Sequence, residues 1–335
     1  MIKSLCSLLF LLVCFSAVAQ FTVKNVKDST DVGSYVFPVL QSARQPEIAA
    51  KINRTLQVSE LGLEISPSIK DPLTNLKNED DYGYTIICIN ARVFSLEIST
   101  GHHGAGSHYQ FRDYSFDAIT GNTIDLKALL NETGQVKIKQ VLYKVWKESI
   151  KANLKDDTFG EDYKTCLAEA EKISELEVNR FAISEKTVDL WGGSCLDGST
   201  WMMDKTLGPH HIPYEQLLSM LTPYGLSLFI GSPTSSNSLP LSLIKGKIDG
   251  KYDFTLTFTQ SDPSGSIKGI IVYDRINSPI PISGTFTGKE ILFHEMDQHN
   301  IPVSDIDCGW DGKDLTGTFK NLKSGKVMTF LAVKM

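Results

Sequence analysis

The chain has 335 residues, with 33 Lys plus Arg against 39 Asp plus Glu, and 41% of its residues are hydrophobic and 21% charged. This composition excludes a disordered chain, a collagen and a coiled coil, and at about 150 residues per domain the length predicts two domains. The formal net charge of -6, without a cluster of Lys and Arg, argues against a nucleic-acid partner.

The first 19 residues have the pattern of a secretory signal peptide. Lys3 is followed by an apolar run over residues 5–15 and then by the small-residue pattern Ala17-Val18-Ala19. This run is shorter than the roughly twenty residues that a membrane-spanning helix needs, so we predict cleavage after Ala19 and no membrane span in the mature chain. Removal of Lys3 leaves 32 basic and 39 acidic residues, a net charge of -7, in a secreted or periplasmic protein.

Residues 20–230 mix helical and strand patterns. Pro46 opens a helical pattern with Ile48, Ile52 and Leu56 on one face, and proline is favoured at a first helical position. A longer helix is predicted over residues 135–154, because its apolar residues recur at three- and four-residue steps. Other predicted helices cover residues 163–176 and follow Pro213, and predicted strands cover residues 84–99, 109–119, 123–126, 181–183 and 188–190. Adjacent strands with tight turns predict an α+β domain, with a mostly antiparallel sheet and helices on one face.

Several short motifs in this domain resemble the extracellular domain of the RsiV anti-sigma factor family, which also occurs beside some peptidoglycan deacetylases. The motifs are the Gly/His-rich turn at residues 101–106, the aromatic strand that ends in Phe116-Asp117-Ala118-Ile119-Thr120-Gly121, the Ile124-Asp125-Leu126 segment, and Ile212-Pro213-Tyr214 ahead of Leu217-Leu218. The resemblance covers about residues 30–230. It implies a binding role without chemistry, because the anti-sigma member senses lysozyme by binding it. The chain lacks that member's cytoplasmic segment and membrane helix, so the signalling role is not implied.

Four cysteines remain after the signal peptide, and an exported protein can form disulfides. Cys166 falls on a predicted helix and Cys195 in the loop after a predicted hairpin, both within the first domain, so we predict a disulfide between them. Cys88 lies in an apolar run and is predicted to be a buried small hydrophobe, whereas Cys308 is predicted to be more exposed. A pairing of Cys88 with Cys308 stays open. No two cysteines have close ligand spacing, which argues against zinc.

The second domain begins where the sequence changes from mixed helix and strand patterns to strand patterns alone. Residues 231–240, with the sequence GSPTSSNSLP, are predicted to be a linker. After them, residues 241–335 contain about eight short strand patterns separated by Gly-rich turns, which predicts an up-and-down β-barrel. A barrel of this size either holds one small ligand or fills its interior with side chains.

The candidate binding residues are histidines and tryptophans of the first domain: His102, His103, His108, Trp191, Trp201, His210 and His211. Imidazoles commonly bind zinc or copper. Neighbouring residues of a strand point to opposite faces, however, so a histidine pair rarely supplies two ligands, and we predict no metal site. The two tryptophans flank one Gly-rich loop, where they form either an apolar contact surface or part of the core.

The sequence contains no recognisable set of catalytic residues. The loop at residues 192–199 lacks the Gly-x-Ser-x-Gly pattern, and His294 and His299 are five residues apart, not four as on a zinc-protease helix. We therefore predict a non-enzymatic, cofactor-free protein of the cell envelope that binds a protein, for example a lysozyme-like enzyme, or a wall-derived ligand. Two alternatives stay open: a hydrolase of cell-wall glycan or peptide, and a small-ligand carrier. A barrel interior filled by Phe254, Phe258 and Phe286 would exclude a ligand inside the barrel.

Overall fold

Two sheets and several helices form the first region, and a closed barrel forms the second. The computed structural model describes residues 21–29, 34–61, 73, 81–103, 107–196, 198–230, 239, 244–261, 265–276 and 278–334. The predicted signal peptide lies outside the described residues, and so does the predicted linker apart from Leu239, which packs in the core of the barrel. Within the described ranges, no helix has both the length and the apolarity to cross a membrane.

The larger sheet of the first region has five strands in sequential order. They are β1 (Thr22–Ser29), β2 (Ser34–Gln41), β3 (Asp81–Ile89), β4 (Val93–His103) and β5 (Ser107–Asp117). All neighbours pair antiparallel except β2 and β3, which are parallel. The single strand predicted over residues 84–99 is in fact two strands, because Asn90 Oδ1 accepts hydrogen bonds from the backbone N–H groups of Arg92 and Val93, both at 2.8 Å, and so closes a turn.

One face of this sheet is covered by helix α1 (Pro46–Leu61). The predicted apolar face is confirmed, because Ile48, Ile52 and Leu56 are at most 6% exposed and pack in one core with strand residues such as Phe37 and Phe94. The even-numbered residues of β4 point toward this core, as the burial of Leu96 and Ile98 shows.

The other face is covered by a second layer. It contains a three-stranded antiparallel sheet of β6 (Arg180–Ile183), β7 (Thr187–Trp191) and β8 (His210–Pro213). Its helices are α2 (Leu126–Leu129), α3 (Glu132–Asn153), α4 (Gly160–Ala170), α5 (Tyr214–Leu217) and α6 (Pro223–Ile230), with 3₁₀ helices at Gly198–Met203 and Leu218–Met220. The predicted apolar stripe of α3 is confirmed, with Ile138, Leu142, Trp146 and Ile150 at most 5% exposed.

The disulfide prediction is also confirmed. Cys166 on α4 is bonded to Cys195, and their Cα atoms are 5.4 Å apart. Cys88 and Cys308 are free thiols, and both are buried. The prediction of an exposed Cys308 is wrong, because this residue alternates with Ser304 and Ile306 on the inward face of its strand. Burial raises the pKa of the Cys308 thiol to about 12.

The second region is a closed antiparallel barrel of eight strands, each joined to its neighbours in the chain by a hairpin. The strands are β9 (Ile244–Ile248), β10 (Tyr252–Ser261), β11 (Ser266–Tyr273), β12 (Pro279–Phe286), β13 (Glu290–Met296), β14 (Pro302–Trp310), β15 (Asp314–Asn321) and β16 (Val327–Lys334). Pairing of β16 with β9 closes it. The predicted fold class, an α+β region followed by an up-and-down barrel, is confirmed.

The interior of the barrel is filled with aromatic side chains. Phe254, Phe258 and Phe286 are at most 3% exposed, and the ring centroids of Phe254 and Phe330 are 4.9 Å apart. Gly246 makes room for this packing, since a Cβ atom there would lie 2.4 Å from the ring of Phe254. A ligand therefore cannot occupy the centre of the barrel.

The first region contacts the barrel near the β10–β11 turn. The Thr123 backbone N–H donates to Thr259 O at 2.6 Å, and Asn122 Nδ2 donates to Ser261 O at 3.3 Å. Lys268 forms an ion pair with Asp125 at 2.7 Å. These contacts join the segment after β5 to one end of the barrel.

Candidate binding surface

Two acidic residues face each other across the β4–β5 hairpin. Glu97 and Asp113 are register partners, and like charges directly opposite each other destabilise a strand pair. Arg180, the first residue of β6, pairs with both, because its Nε donates to Asp113 Oδ2 and its Nη2 donates to Glu97 Oε2, each at 2.6 Å. The Asp113 side chain is 2% exposed, whereas the Arg180 side chain is 23% exposed. The arginine therefore binds β6 to the hairpin and still reaches solvent.

The charges of this cluster depend on one another. Burial raises the pKa of Asp113, and the hydrogen bond from Arg180 opposes that rise. Burial also works against the charge of Arg180, but its bonds to Asp113 and Glu97 outweigh this effect, so the pKa of Arg180 is raised. Asp113 Oδ1 is buried without a hydrogen-bond partner in the described part of the chain. Loss of Arg180 would thus leave a buried carboxylate without its cation.

Arg180 also lies between two aromatic rings. Its Cζ is 4.6 Å from the ring centroid of Trp191 and 5.4 Å from that of Phe111. The ring of Tyr109 follows next, with 6.5 Å between its centroid and that of Phe111. These four side chains, which we call the aromatic–arginine ladder, are all partly exposed. Aromatic residues and arginine often supply much of the energy of protein interfaces, so the ladder is a candidate contact surface.

Asp189 on β7 lies at the centre of a second polar cluster. The residue is 5% exposed. Its Oδ1 accepts from Thr187 Oγ1 and lies beside His211 Nδ1, each at 2.7 Å, and its Oδ2 accepts from Ser184 Oγ. Ser184 and His211 both contact the carboxylate, so the hydroxyl is not on the imidazole as a nucleophile–base pair requires. Asp189 instead orients His211, whose side chain is 62% exposed.

The other predicted residue of β8, His210, faces the opposite side of the strand. Its Nε2 lies 3.2 Å from Thr206 O. Burial lowers the pKa of His210, and the hydrogen bond to Thr206 opposes that shift. The alternation of a strand thus separates His210 from His211, as the sequence predicts.

The remaining predicted residues are described only in part. His102 pairs with His108 near the tip of the β4–β5 hairpin, and His103 is the next residue of β4. Trp201 lies in the first 3₁₀ helix. The side chains of these four residues lie outside the described part, so their binding role stays a prediction. Among the described side chains, no three His, Cys, Asp or Glu residues are close enough to hold a metal ion.

Asp204 fixes the loop that carries the disulfide. Its carboxylate accepts from Ser194 Oγ at 2.7 Å, from the Leu196 N–H at 3.1 Å and from Thr206 Oγ1 at 2.7 Å. These hydrogen bonds lower the pKa of Asp204 despite the opposing effect of burial. Ser194 therefore has a structural partner.

An acidic segment begins before α4 and continues beyond it. Residues 156–177 contain eight acidic residues and two lysines, a net charge of -6. Seven of the acids are exposed: Asp157, Glu161, Asp162, Glu169, Glu171, Glu175 and Glu177. Tyr163 is fully buried, and the disulfide joins Cys166 to the loop at Cys195, so the segment is anchored to the rest of the first region. The fold therefore presents these acids beside the disulfide, where three lysines from outside the segment, Lys139, Lys147 and Lys205, pair with Glu177, Glu171 and Asp156.

The opposite face of the β4–β5 hairpin has an ionic cluster of its own, centred on Glu60 at the end of α1. Glu60 has a fully buried side chain and accepts from Arg112 Nη2 at 2.7 Å and from Tyr82 Oη at 3.1 Å. The Tyr114 hydroxyl donates to the same carboxylate. Burial and the neighbouring Glu60 raise the pKa of both tyrosines. This cluster joins α1 to the sheet.

Sequence reasoning missed Arg180, Phe111, Glu97 and Asp113. Glu97 alternates with apolar residues in its strand, a pattern typical of a sheet with one face in solvent. That face is instead covered by β6, whose Ile183 N–H donates to Ser95 Oγ at 3.4 Å and to Ser115 Oγ at 3.3 Å. Two acids at matching positions of a predicted hairpin were the available signal, because they require a cation.

The chain is an α+β protein with a fused β-barrel. No family model and no curated protein matches the chain. It is similar in structure to a DUF3298 family protein from Pseudomonas aeruginosa PAO1, with 14% identity over 62% of this chain and 95% of that one and a TM-score of 0.42. It is also similar to a member of the DUF3298 family from Bacteroides fragilis NCTC 9343, with 13% identity over 62% of this chain and 94% of that one and a TM-score of 0.41. Similarity at this level identifies neither a ligand nor an activity.

Proposed function

We propose that this protein is exported and acts as a non-catalytic binding protein of the cell envelope, whose first region binds a basic, lysozyme-like protein. The acidic segment at residues 156–177 carries the proposal. The signal-peptide pattern and the resemblance to the RsiV extracellular domain support it from the sequence.

Electrostatics favours such a partner. A surface of one charge attracts a partner of the opposite charge, speeds association and makes binding sensitive to salt. Some of the acids have lysine partners on the same surface, such as Glu169 with Lys172 at 2.6 Å. Because both side chains are 66% exposed, a basic partner can displace the lysine at little cost.

The test measures binding of a purified basic lysozyme to this protein by surface plasmon resonance at low and physiological salt. The variant Glu169→Gln/Glu171→Gln/Glu175→Gln removes three charges from the acidic segment and should weaken binding about tenfold at low salt, because each exposed contact contributes up to about 1 kcal/mol. The matched control, Glu185→Gln/Glu215→Gln/Glu290→Gln, removes the same charge from exposed positions elsewhere and should bind nearly as well as the parent.

The proposal would be refuted by equal binding of the two triple variants, or by no binding at low salt. The alternative of a wall hydrolase is addressed in parallel, by incubating the protein with peptidoglycan and measuring released sugar and peptide ends. Hydrolysis of peptidoglycan by the purified protein would show that its function is catalysis and not binding.

A further inference from the structure

Among the described residues, nothing from the first region covers one end of the barrel. Four hairpin turns surround it: β9–β10, β11–β12, β13–β14 and β15–β16. The contacts with the first region involve Thr259, Ser261 and Lys268, which lie near the β10–β11 turn at the opposite end. The end with the four turns is therefore not covered by these contacts.

A cavity of about 550 Å³ occupies this mouth. Its floor is the top of the aromatic core and is largely apolar, with Ile248, Ile280, Phe319 and Met328. Tyr252 and Ile276 extend the apolar surface up the rim, where they are 42% and 64% exposed. Ligand sites of proteins commonly have this size and an apolar lining with a few polar groups.

One acidic side chain lies at the bottom of the cavity, but its hydrogen bonds are satisfied by the barrel. Glu295 is 5% exposed. It accepts from the Tyr273 hydroxyl and from Ser304 Oγ, the latter at 2.8 Å. Burial raises the pKa of Glu295, and the two hydrogen bonds oppose that rise.

The cavity is lined by two basic and two acidic residues, which differ in their partners. Arg275 and Lys326 line the cavity and are exposed, and neither has an ion-pair partner among the described residues. The rim acid Asp253 is different, because it pairs with Lys247 at 2.9 Å outside the cavity lining. Two cations without partners thus stand above an apolar floor.

We infer that the mouth of the barrel binds an amphipathic anion with a single alkyl chain, its chain on the floor formed by Ile248, Ile280, Phe319 and Met328 and its carboxylate between Arg275 and Lys326. Because phenylalanines fill the barrel below, the chain lies in the mouth and does not enter the centre. Arginine and lysine hold the carboxylate by charge-assisted hydrogen bonds, while the buried chain supplies apolar contact.

The experiment compares three ligands of equal chain length by isothermal titration calorimetry: decanoate, decanol and decylamine, each below its micelle concentration. Decanoate should bind most tightly, decanol more weakly and decylamine weakest. The variant Arg275→Gln/Lys326→Gln should weaken decanoate about tenfold and leave decanol almost unchanged, because two exposed charge contacts are lost. The matched control Lys289→Gln/Lys313→Gln removes the same charge from the turns at the other end and should bind decanoate like the parent.

A second variant keeps the test informative if the glutamines perturb the turns. Ile276→Glu adds an acid at a rim position that is 64% exposed, so we expect it to fold like the parent, to bind decanoate more weakly and to bind decylamine more tightly. Decylamine binding as tightly as decanoate, equal decanoate affinity in both double variants, or no decanoate binding at millimolar concentration would each overturn the inference. None of these outcomes bears on lysozyme binding, which concerns the other region.

Discussion

The first region and the barrel accommodate polar side chains in different ways. In the first region, Glu60 is buried beside Arg112, and Asp113 beside Arg180. In the described part of the barrel, Glu295 is the single buried residue among Asp, Glu, Lys, Arg and His, and its carboxylate accepts from Tyr273 and Ser304. A sheet covered on both faces must pair the polar residues of its second face, whereas a closed barrel can place them outside. Removal of a buried charge should therefore have unequal effects in the two regions.

The largest effect is expected at Glu60. Glu60→Ala leaves Arg112, Tyr82 and Tyr114 without their common acceptor, and we expect a loss of about 2–4 kcal/mol in the free energy of unfolding. The loss stays below the full cost of breaking a buried pair because the Arg112 side chain is 37% exposed. Urea unfolding followed by circular dichroism measures it.

The matched control for this prediction is Glu161→Ala. Glu161 also pairs with a basic residue, Lys164 at 2.5 Å, but its side chain is 87% exposed. An exposed helix pair contributes about 0.3–0.5 kcal/mol, so the control should stay close to the parent. Equal losses in the two variants would show that burial does not set the importance of ionic groups in the first region.

A pH-dependent effect of similar size is expected at Lys51. This lysine is 1% exposed, contacts Thr120 O and Asn122 Oδ1, and has its pKa lowered to about 7 by burial, against an opposing effect of Asp117. Between about pH 10.5 and 7 the unfolded chain takes up a proton that the folded chain does not, so stability falls as the pH decreases through this range. Relative to the parent, Lys51→Met should gain about 2–4 kcal/mol between pH 10 and 7.

The free energy of unfolding of the parent and of the variant is measured by urea unfolding at each pH from 7 to 10. The difference between the two values is compared, because the titration of all other groups cancels in it. The exposed Lys137→Met serves as the control and should run parallel to the parent. A constant offset for Lys51→Met across this range would mean that Lys51 is charged in the folded protein, in conflict with its burial.

The smallest effect is expected at Glu295 in the barrel. Because its folded-state pKa is raised, the native protein holds a proton that the unfolded chain releases as the pH rises above about 4.5, so stability falls as the pH rises through the folded-state pKa. Glu295→Gln should match the parent below pH 4.5 and become relatively more stable toward pH 8. Gln can still accept from Tyr273, which keeps the change small.

Thermal unfolding between pH 4 and 8, with hydrogen exchange to follow the barrel strands, measures this difference. Glu290→Gln on the same strand is the control, since Glu290 is exposed. A variant that loses stability at every pH would place Glu295 with the paired acids of the first region and remove the contrast between the two regions.

Much of the fold followed from local patterns. The apolar face of α1, the stripe of α3, the β6–β7 hairpin, the eight barrel strands and the Cys166–Cys195 pair were all predicted from spacing and context. The candidate surface followed less well. Trp191 was singled out, but its contact with Arg180, the partners of Asp189 and the cavity at the mouth of the barrel were not.

By itself, the sequence determined the main helices and the barrel strands, because periodicity, caps and turn residues act between neighbours along the chain. It did not indicate strands β1 and β2, or the turn that separates β3 from β4. Only the tertiary structure decided that the polar face of the β4–β5 hairpin is covered, and that Arg180 meets Asp113, 67 residues away in the chain. It also decided that the barrel fills with phenylalanine while the described residues leave a cavity at its mouth. The physical reason is that a strand pattern fixes which side chains share a face, whereas what covers that face depends on how distant segments pack.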